Sequence, residues 1–321
     1  MTHTTSAKLF VATLFLGRGL AQQVSEVALR SDIAYLAAIE RQGRASPSAG
    51  LDEAANYIGA SFARAGLDVI TQDVPVRNGT ARNVIGVLRG SDPMLRDTYV
   101  ILSAHYDHVG VQRGQIYPGA NDDASGTAGV IESAVAISAR SVRPKRSIVF
   151  IAFCCEETGL LGSRFYADHP VFPLRDTIAH LNLEQIGRTD AVEGPHVASV
   201  SITGAGFSNL AQQMTVALSA AGIETYSHKQ GDQLFGASDN LPLAVKGVPA
   251  HTLFVAGEYP EYHRPGDTAD KLNYPNFAKV TYGIVAAVLA LGSNLEEPQW
   301  NEGSPAAARF AAAYRELHKR P

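Results

Sequence analysis

Histidine and acidic residues recur along this 321-residue chain in short motifs, each placed where an apolar run ends. His105 and Asp107 lie in Ser-Ala-His-Tyr-Asp-His, and Asp122 lies in Gly-Ala-Asn-Asp-Asp-Ala-Ser-Gly. Glu156 and Glu157 follow an apolar run, Glu184 sits in Asn-Leu-Glu-Gln-Ile-Gly, and His263 sits in Tyr-His-Arg-Pro-Gly-Asp-Thr. Imidazole and carboxylate are ligands that Zn²⁺ accepts, and an open coordination position makes a bound water nucleophilic near neutral pH. The series reads as a two-zinc hydrolase site.

Each motif has its own chemistry. Period-two geometry puts His105 and Asp107 on one side of an extended segment. A carboxylate there can accept the second imidazole N–H and fix which nitrogen faces a metal. His108 competes with His105 for the ligand role, and spacing does not separate them. Asn121-Asp122-Asp123 suits a tight turn entering a helix, where one carboxylate bridges two ions while its neighbour caps the helix. Adjacent Glu156 and Glu157 at the end of a buried strand repel and lose solvation, which is costly without a cation. One can ligate while the other takes a proton from water. Glu184 and His263 carry little weight singly and gain it from the ensemble.

These residues need a scaffold that gathers distant loops. Periodicity predicts helices over about 24–43, 52–65, 123–140, 160–167, 207–221 and 278–291. Strands are expected over 68–74, 81–88, 98–103, 177–183, 198–202 and 250–255. The continuous apolar run 147–153 reads as a strand buried on both faces. Strands alternating with helices predict a three-layer α/β/α sandwich with a mixed, mostly parallel central sheet. Ligands bind beyond the carboxyl ends of strands in such sheets, which is where the donors fall. One catalytic domain is expected over 24–295, followed by a polar tail, 296–321, with a short surface helix.

Composition bounds the rest. The formal charge of −4, with no long run of one sign, points to no nucleic acid and no anionic membrane as partner. Cys154 and Cys155, the two cysteines, are adjacent and read as small buried thiols. Lys8, an apolar run over 9–17 and Gly19-Leu20-Ala21 have the layout of a secretory signal peptide over 1–21, with Arg18 atypical. The run is too short to span a membrane, so export to the periplasm or the medium is expected.

Together the five motifs, with the entry helix Asp52-Glu53-Ala54-Ala55-Asn56-Tyr57-Ile58, resemble the secreted co-catalytic di-zinc aminopeptidases. That family is related to glutamate carboxypeptidase, the transferrin receptor and glutaminyl cyclase. The resemblance runs from about residue 31 to 290. It implies two zinc ions per chain, peptide substrates with a free N-terminus, and the zinc-peptidase fold. It makes His105 a ligand of one zinc with Asp107 as its orienter, Asp122 the carboxylate bridging both ions, and Glu156 the general base. Glu157 becomes a metal ligand, His263 completes the second zinc, and Tyr262 becomes a donor to the oxyanion. Glu184 becomes a ligand of the first zinc where the family usually holds aspartate. In Ser238-Asp239-Asn240, asparagine replaces a family histidine, which bears on substrate preference. Glutaminyl-peptide cyclisation, carboxypeptidase or dipeptidase action, and a non-catalytic receptor-like role share this scaffold and are the competing readings. Cyclase relatives work with one zinc, and receptor relatives lose donors that this chain keeps.

Overall fold

The run Ser147–Phe153 is buried at every position and lies inside an eight-stranded sheet in the computed structural model, which describes residues 24–319. The strands are β1 (Asp68–Val76), β2 (Gly79–Leu88), β3 (Tyr99–His105), β4 (Ser147–Phe153), β5 (Thr177–Glu184), β6 (Ser199–Ile202), β7 (Glu224–Tyr226) and β8 (Ala250–Phe254). Their spatial order is β1-β2-β4-β3-β5-β8-β6-β7. Strands β4, β3, β5 and β8 are parallel, while β2 meets β4 and β6 meets β8 antiparallel. The sheet is therefore mixed with a parallel centre, as the pattern predicts.

Alternation along β4 divides the interior in two. Ile148, Phe150 and Ala152 join one hydrophobic core, and Val149, Ile151 and Phe153 join the other. Helices α1 (Glu26–Leu36), α2 (Ala49–Arg64), α3 (Ala124–Ser138), α5 (Asn209–Ala220) and α8 (Tyr274–Ser293) cover the first face. Helices α4 (Leu161–Asp168), α7 (Asn240–Val245) and α9 (Ala308–Leu317) cover the second, and α6 (Gly231–Leu234) is one turn in a loop. Helix α8 is long and apolar enough to cross a membrane by length and composition, but its apolar window is 72% buried in the core. Cys154 and Cys155 are free and buried, as expected.

The structure departs from the expected elements in three places. The helix expected over 24–43 ends at Leu36, and Ile39–Arg44 forms a kinked 3-10 segment. The cause is Arg44, a fully buried guanidinium that donates to the carbonyls of Leu36, Tyr106, Pro118 and Gly119 and pulls the chain back. Gly43, at φ 69°, is required there, because a Cβ would lie 2.4 Å from the Tyr117 carbonyl oxygen. Helix α8 starts at Tyr274 because the Asn273 side chain caps it and Pro275 fits the first turn. The segment from Glu296, expected as a polar tail, is built into the domain. Trp300 donates to the Gly247 carbonyl at 2.8 Å, and Phe310 is 1% exposed against α7. A few aromatic anchors within a polar stretch suffice to dock it. The leader expected over 1–21 lies outside the described residues.

Two acids are buried between α1 and α3. Burial pushes Glu132 up to about 7, aided by the Asp32 charge, and pushes Asp32 up to about 6 against the Tyr57 hydroxyl. The native state thus keeps protons that the unfolded chain releases just above pH 4, so stability falls as pH rises from there through 6–7. Glu132→Gln is expected to raise the melting temperature at pH 8 and leave it nearly unchanged at pH 4. The ceiling is about 3 kcal/mol. Equal gains at both pH values would refute this account.

Candidate metal centre

The parallel strands end at one edge of the sheet, and the donors lie there. His105 is the last residue of β3, and Glu184 the last of β5. Glu156 and Glu157 follow β4 after Cys154 and Cys155, while Asp122 stands just before α3. His263 comes from the loop between β8 and α8. The turns that aim them use uncommon backbone: Cys155, Gln185 and His263 are left-handed at φ 63°, 51° and 51°. Such conformations cost of the order of 1–3 kcal/mol each and persist where packing over-determines them.

Asp122 divides the donors into two groups. His105 Nε2 lies 3.4 Å from Asp122 Oδ1 and 3.5 Å from Glu184 Oε2. His263 Nε2 lies 3.0 Å from Asp122 Oδ2 and 3.2 Å from Glu157 Oε1. One carboxylate therefore presents a separate oxygen to each group, which is the arrangement a bridging ligand needs. Asp122 Oδ2 and Glu157 Oε1 are buried with no hydrogen-bond partner. Close approach without hydrogen-bond alignment means that these atoms point at shared points between them. That donor chemistry fits two zinc ions.

Charge tells the same story. Burial alone would raise Asp122, but the imidazoles of His105 and His263 outweigh it and hold the carboxyl well below its usual range. Burial would likewise raise Glu157, yet His108 and His263 hold it at about 2. Asp122 and Glu157 push His263 up to about 10. Burial lowers His105, but Glu184 and Glu156 outweigh it and push the ring well above its ordinary value. The protein's own charges thus draw protons onto the imidazoles, because acids outnumber cations in the cluster.

Other side chains fix the framework. Asp107 accepts the Glu156 backbone N–H at 3.0 Å. Its carboxylate is 3.6 Å from His105 Nδ1, whose nearer neighbour at 3.1 Å is the Asp107 backbone carbonyl. The expected contact is thus shifted to the main chain, because β3 ends at His105 and the chain bends. Asp123 Oδ1 accepts from Gly126 N, capping α3, and from Gln185 N after β5. Glu156 Oε2 stands 4.0 Å from His105 Nε2. Burial, with the charges of Glu184, Asp239 and Asp107 adding, pushes its carboxyl well above the usual range against His105. Tyr262, 41% exposed, stacks on His263 with ring centroids 4.1 Å apart.

Three supporting roles escape sequence reasoning. Asp267 accepts the backbone N–H groups of Asn121 and Asp122 at 3.1 Å and the Tyr259 hydroxyl at 3.0 Å. It tethers the Asp122 turn to the His263 loop, and its place four residues after His263 was the available signal. Ser238 donates to Glu184 Oε1 at 2.5 Å, pinning the longer carboxylate while its other oxygen faces His105. Arg44 carries no local signal. Burial lowers it to about 10 against the pull of Asp107, Asp267, Asp122 and Asp123, so it remains a cation beneath the cluster. Asn240 is buried on Thr252 and Phe235, and of its segment Ser238 alone lines the cleft.

The cleft at the donors is lined by His105, Asp122, Glu156, Glu184, Tyr262 and His263. Leu234, Ala237, Phe254, Thr203 and Thr252 also line it. No lysine or arginine is among the lining residues.

A model of peptidase family M28 matches residues 83–288. The uncharacterized protein YfbL of Escherichia coli is 29% identical over 285 residues, covering 80% of this chain and 85% of YfbL. Aminopeptidase YwaD of Bacillus subtilis is 29% identical over 69% of this chain and 47% of its own length. Leucine aminopeptidase 2 of Trichophyton equinum is 30% identical over 74% of this chain and 51% of its own. The chain thus spans about half the length of those two relatives. Among solved structures, the LapA aminopeptidase of Legionella pneumophila superposes with a TM-score of 0.72 at 20% identity, covering 86% of this chain and 74% of LapA. The glutaminyl cyclase of Porphyromonas gingivalis gives 0.68 at 16%, covering 83% and 98%. A fold shared by an aminopeptidase and a cyclase identifies the architecture and leaves the reaction to the site.

Proposed function

From the premise that the chain belongs to peptidase family M28, we propose that it is a two-zinc aminopeptidase that removes N-terminal residues from peptides. The observation that carries this reading is the polarity of the cleft. Asp122, Glu156 and Glu184 line it, and no lining residue is a lysine or arginine. A substrate ammonium is welcome beside those carboxylates, whereas a free substrate carboxylate would be buried without a counter-charge. That disfavours carboxypeptidase and dipeptidase action. Arg264, the residue after His263, is exposed and outside the lining. The second donor group around His263 favours two ions over the single zinc of the cyclase reading.

His105, Asp122 and Glu184 would hold one zinc, and Asp122, Glu157 and His263 the other. Zinc supplies Lewis acidity, polarising the scissile carbonyl and making water acidic enough to attack near neutral pH. Glu156, unligated at the cleft wall, takes the proton of the attacking water and returns it to the leaving amine. Tyr262 donates its hydroxyl to the oxygen that gains charge. Leu234, Ala237 and Phe254 offer an apolar wall for the first side chain. The leader-like residues 1–21 support export to the periplasm or the medium.

A panel of aminoacyl chromogenic amides, each paired with its N-acetylated form, tests this. Release from free-amine substrates, leucyl above glutamyl, is expected, with loss on chelation and recovery with zinc. Release from blocked substrates alone, or cyclisation of glutaminyl peptides in place of cleavage, would overturn the proposal.

A further inference from the structure

The two donor groups differ in imidazole content: His108 lies with His263 in the second, while His105 lies with the carboxylates of Asp123 and Glu184 in the first. His108 is 1% exposed, and neither ring nitrogen has a hydrogen-bond partner. Each other buried histidine has at least one partner: His105 the Asp107 carbonyl, His180 the Ser103 hydroxyl, and His251 both Ser208 and the Thr203 carbonyl. An imidazole buried with both nitrogens unpaired costs several kcal/mol at most and about 1–3 kcal/mol per group in typical cases, so a partner is wanted. His108 Nδ1 lies 2.9 Å from Glu157 Oε1 and 3.8 Å from Asp122 Oδ2. His263 Nε2 lies 3.0 and 3.2 Å from Asp122 Oδ2 and Glu157 Oε1. Bonds of about 2.0–2.2 Å in a tetrahedral zinc site imply donor-to-donor edges of about 3.4 Å. The four measured edges scatter around that length, and all four atoms lie within 4.8 Å of one another.

We propose that His108 is a fourth protein donor of the second position, through Nδ1, so that this position is held by two imidazoles. The first position has no matching extra imidazole: its histidine is His105 alone. The inference rests on the metal reading above and adds a ligand to it. It also resolves the competition between His105 and His108 read from sequence, since each imidazole faces a different side of Asp122.

X-ray absorption at the zinc edge of the purified, zinc-loaded protein counts imidazoles directly. Three shared by two ions are expected in the wild type and two in His108→Ala. Competition with a chromophoric chelator should show two equivalents, and His108→Ala should weaken one of them by at least about tenfold while sparing the other. His108→Gln, which keeps more side-chain volume, serves if the alanine variant folds poorly. An unchanged imidazole count would overturn the proposal even if affinity fell, because His108 would then only orient Glu157. A wild-type stoichiometry of one ion would count against the two-zinc reading, and the imidazole count at that ion would still decide for or against His108.

Discussion

Replacing Glu156 by glutamine is expected to leave metal content unchanged while turnover falls about 10²–10⁴-fold, the usual contribution of a positioned acid–base group. The two glutamates of the pair stand in different surroundings. Glu157 Oε1 is packed among His108, His263 and Asp122, whereas Glu156 lines the cleft and takes no hydrogen bond through its carboxylate among the described residues. What fixes Glu156 is its main chain, through the Asp107 carboxylate and the left-handed Cys155 before it. The amide is nearly isosteric, so binding and metal geometry persist while the proton acceptor is gone. Metal analysis beside steady-state kinetics reads the split. Activity within tenfold of wild type would remove Glu156 from the base role, and loss of metal would make it a ligand.

Asp122→Asn is expected to do the reverse, weakening metal binding at both positions by more than about 100-fold and carrying activity down with it. One carboxylate faces both groups, with Oδ1 toward His105 and Oδ2 toward His263. An amide keeps the shape and one weak oxygen donor but loses the charge. His263→Ala supplies the contrast, since it touches the second group alone. Metal content after gel filtration should fall toward zero in the first variant and toward half in the second. Selective loss of a single ion from Asp122→Asn would show that Asp122 does not bridge.

The candidate site was legible because its residues sit at strand ends, where a parallel sheet converges. Buried runs such as Ser147–Phe153 and Thr177–Glu184 announced those strands, and His105, Glu156 and Glu184 follow from them directly. Contacts made across the chain were hidden. Ser238 reaches Glu184 from 54 residues away, and Asp267 reaches Asn121 from 146. Arg44 lies just past a stretch whose apolar spacing predicts a helix to residue 43, and its tertiary hydrogen bond to the Leu36 carbonyl meets the helix where it ends. Likewise Trp300 and Phe310 look like stray aromatics in a polar tail until α7 offers them a surface. His108 was visible as a donor, but which side of Asp122 it faced depended on the bend after β3.

The buried guanidinium of Arg44 ties together four carbonyls from three separate stretches, one of them the turn that leads to Asp122. That stitching owes nothing to zinc. Stripped of its ions, the chain is therefore expected to keep the contour of its mouth, so that reloading amounts to filling a standing mould and not to renewed folding.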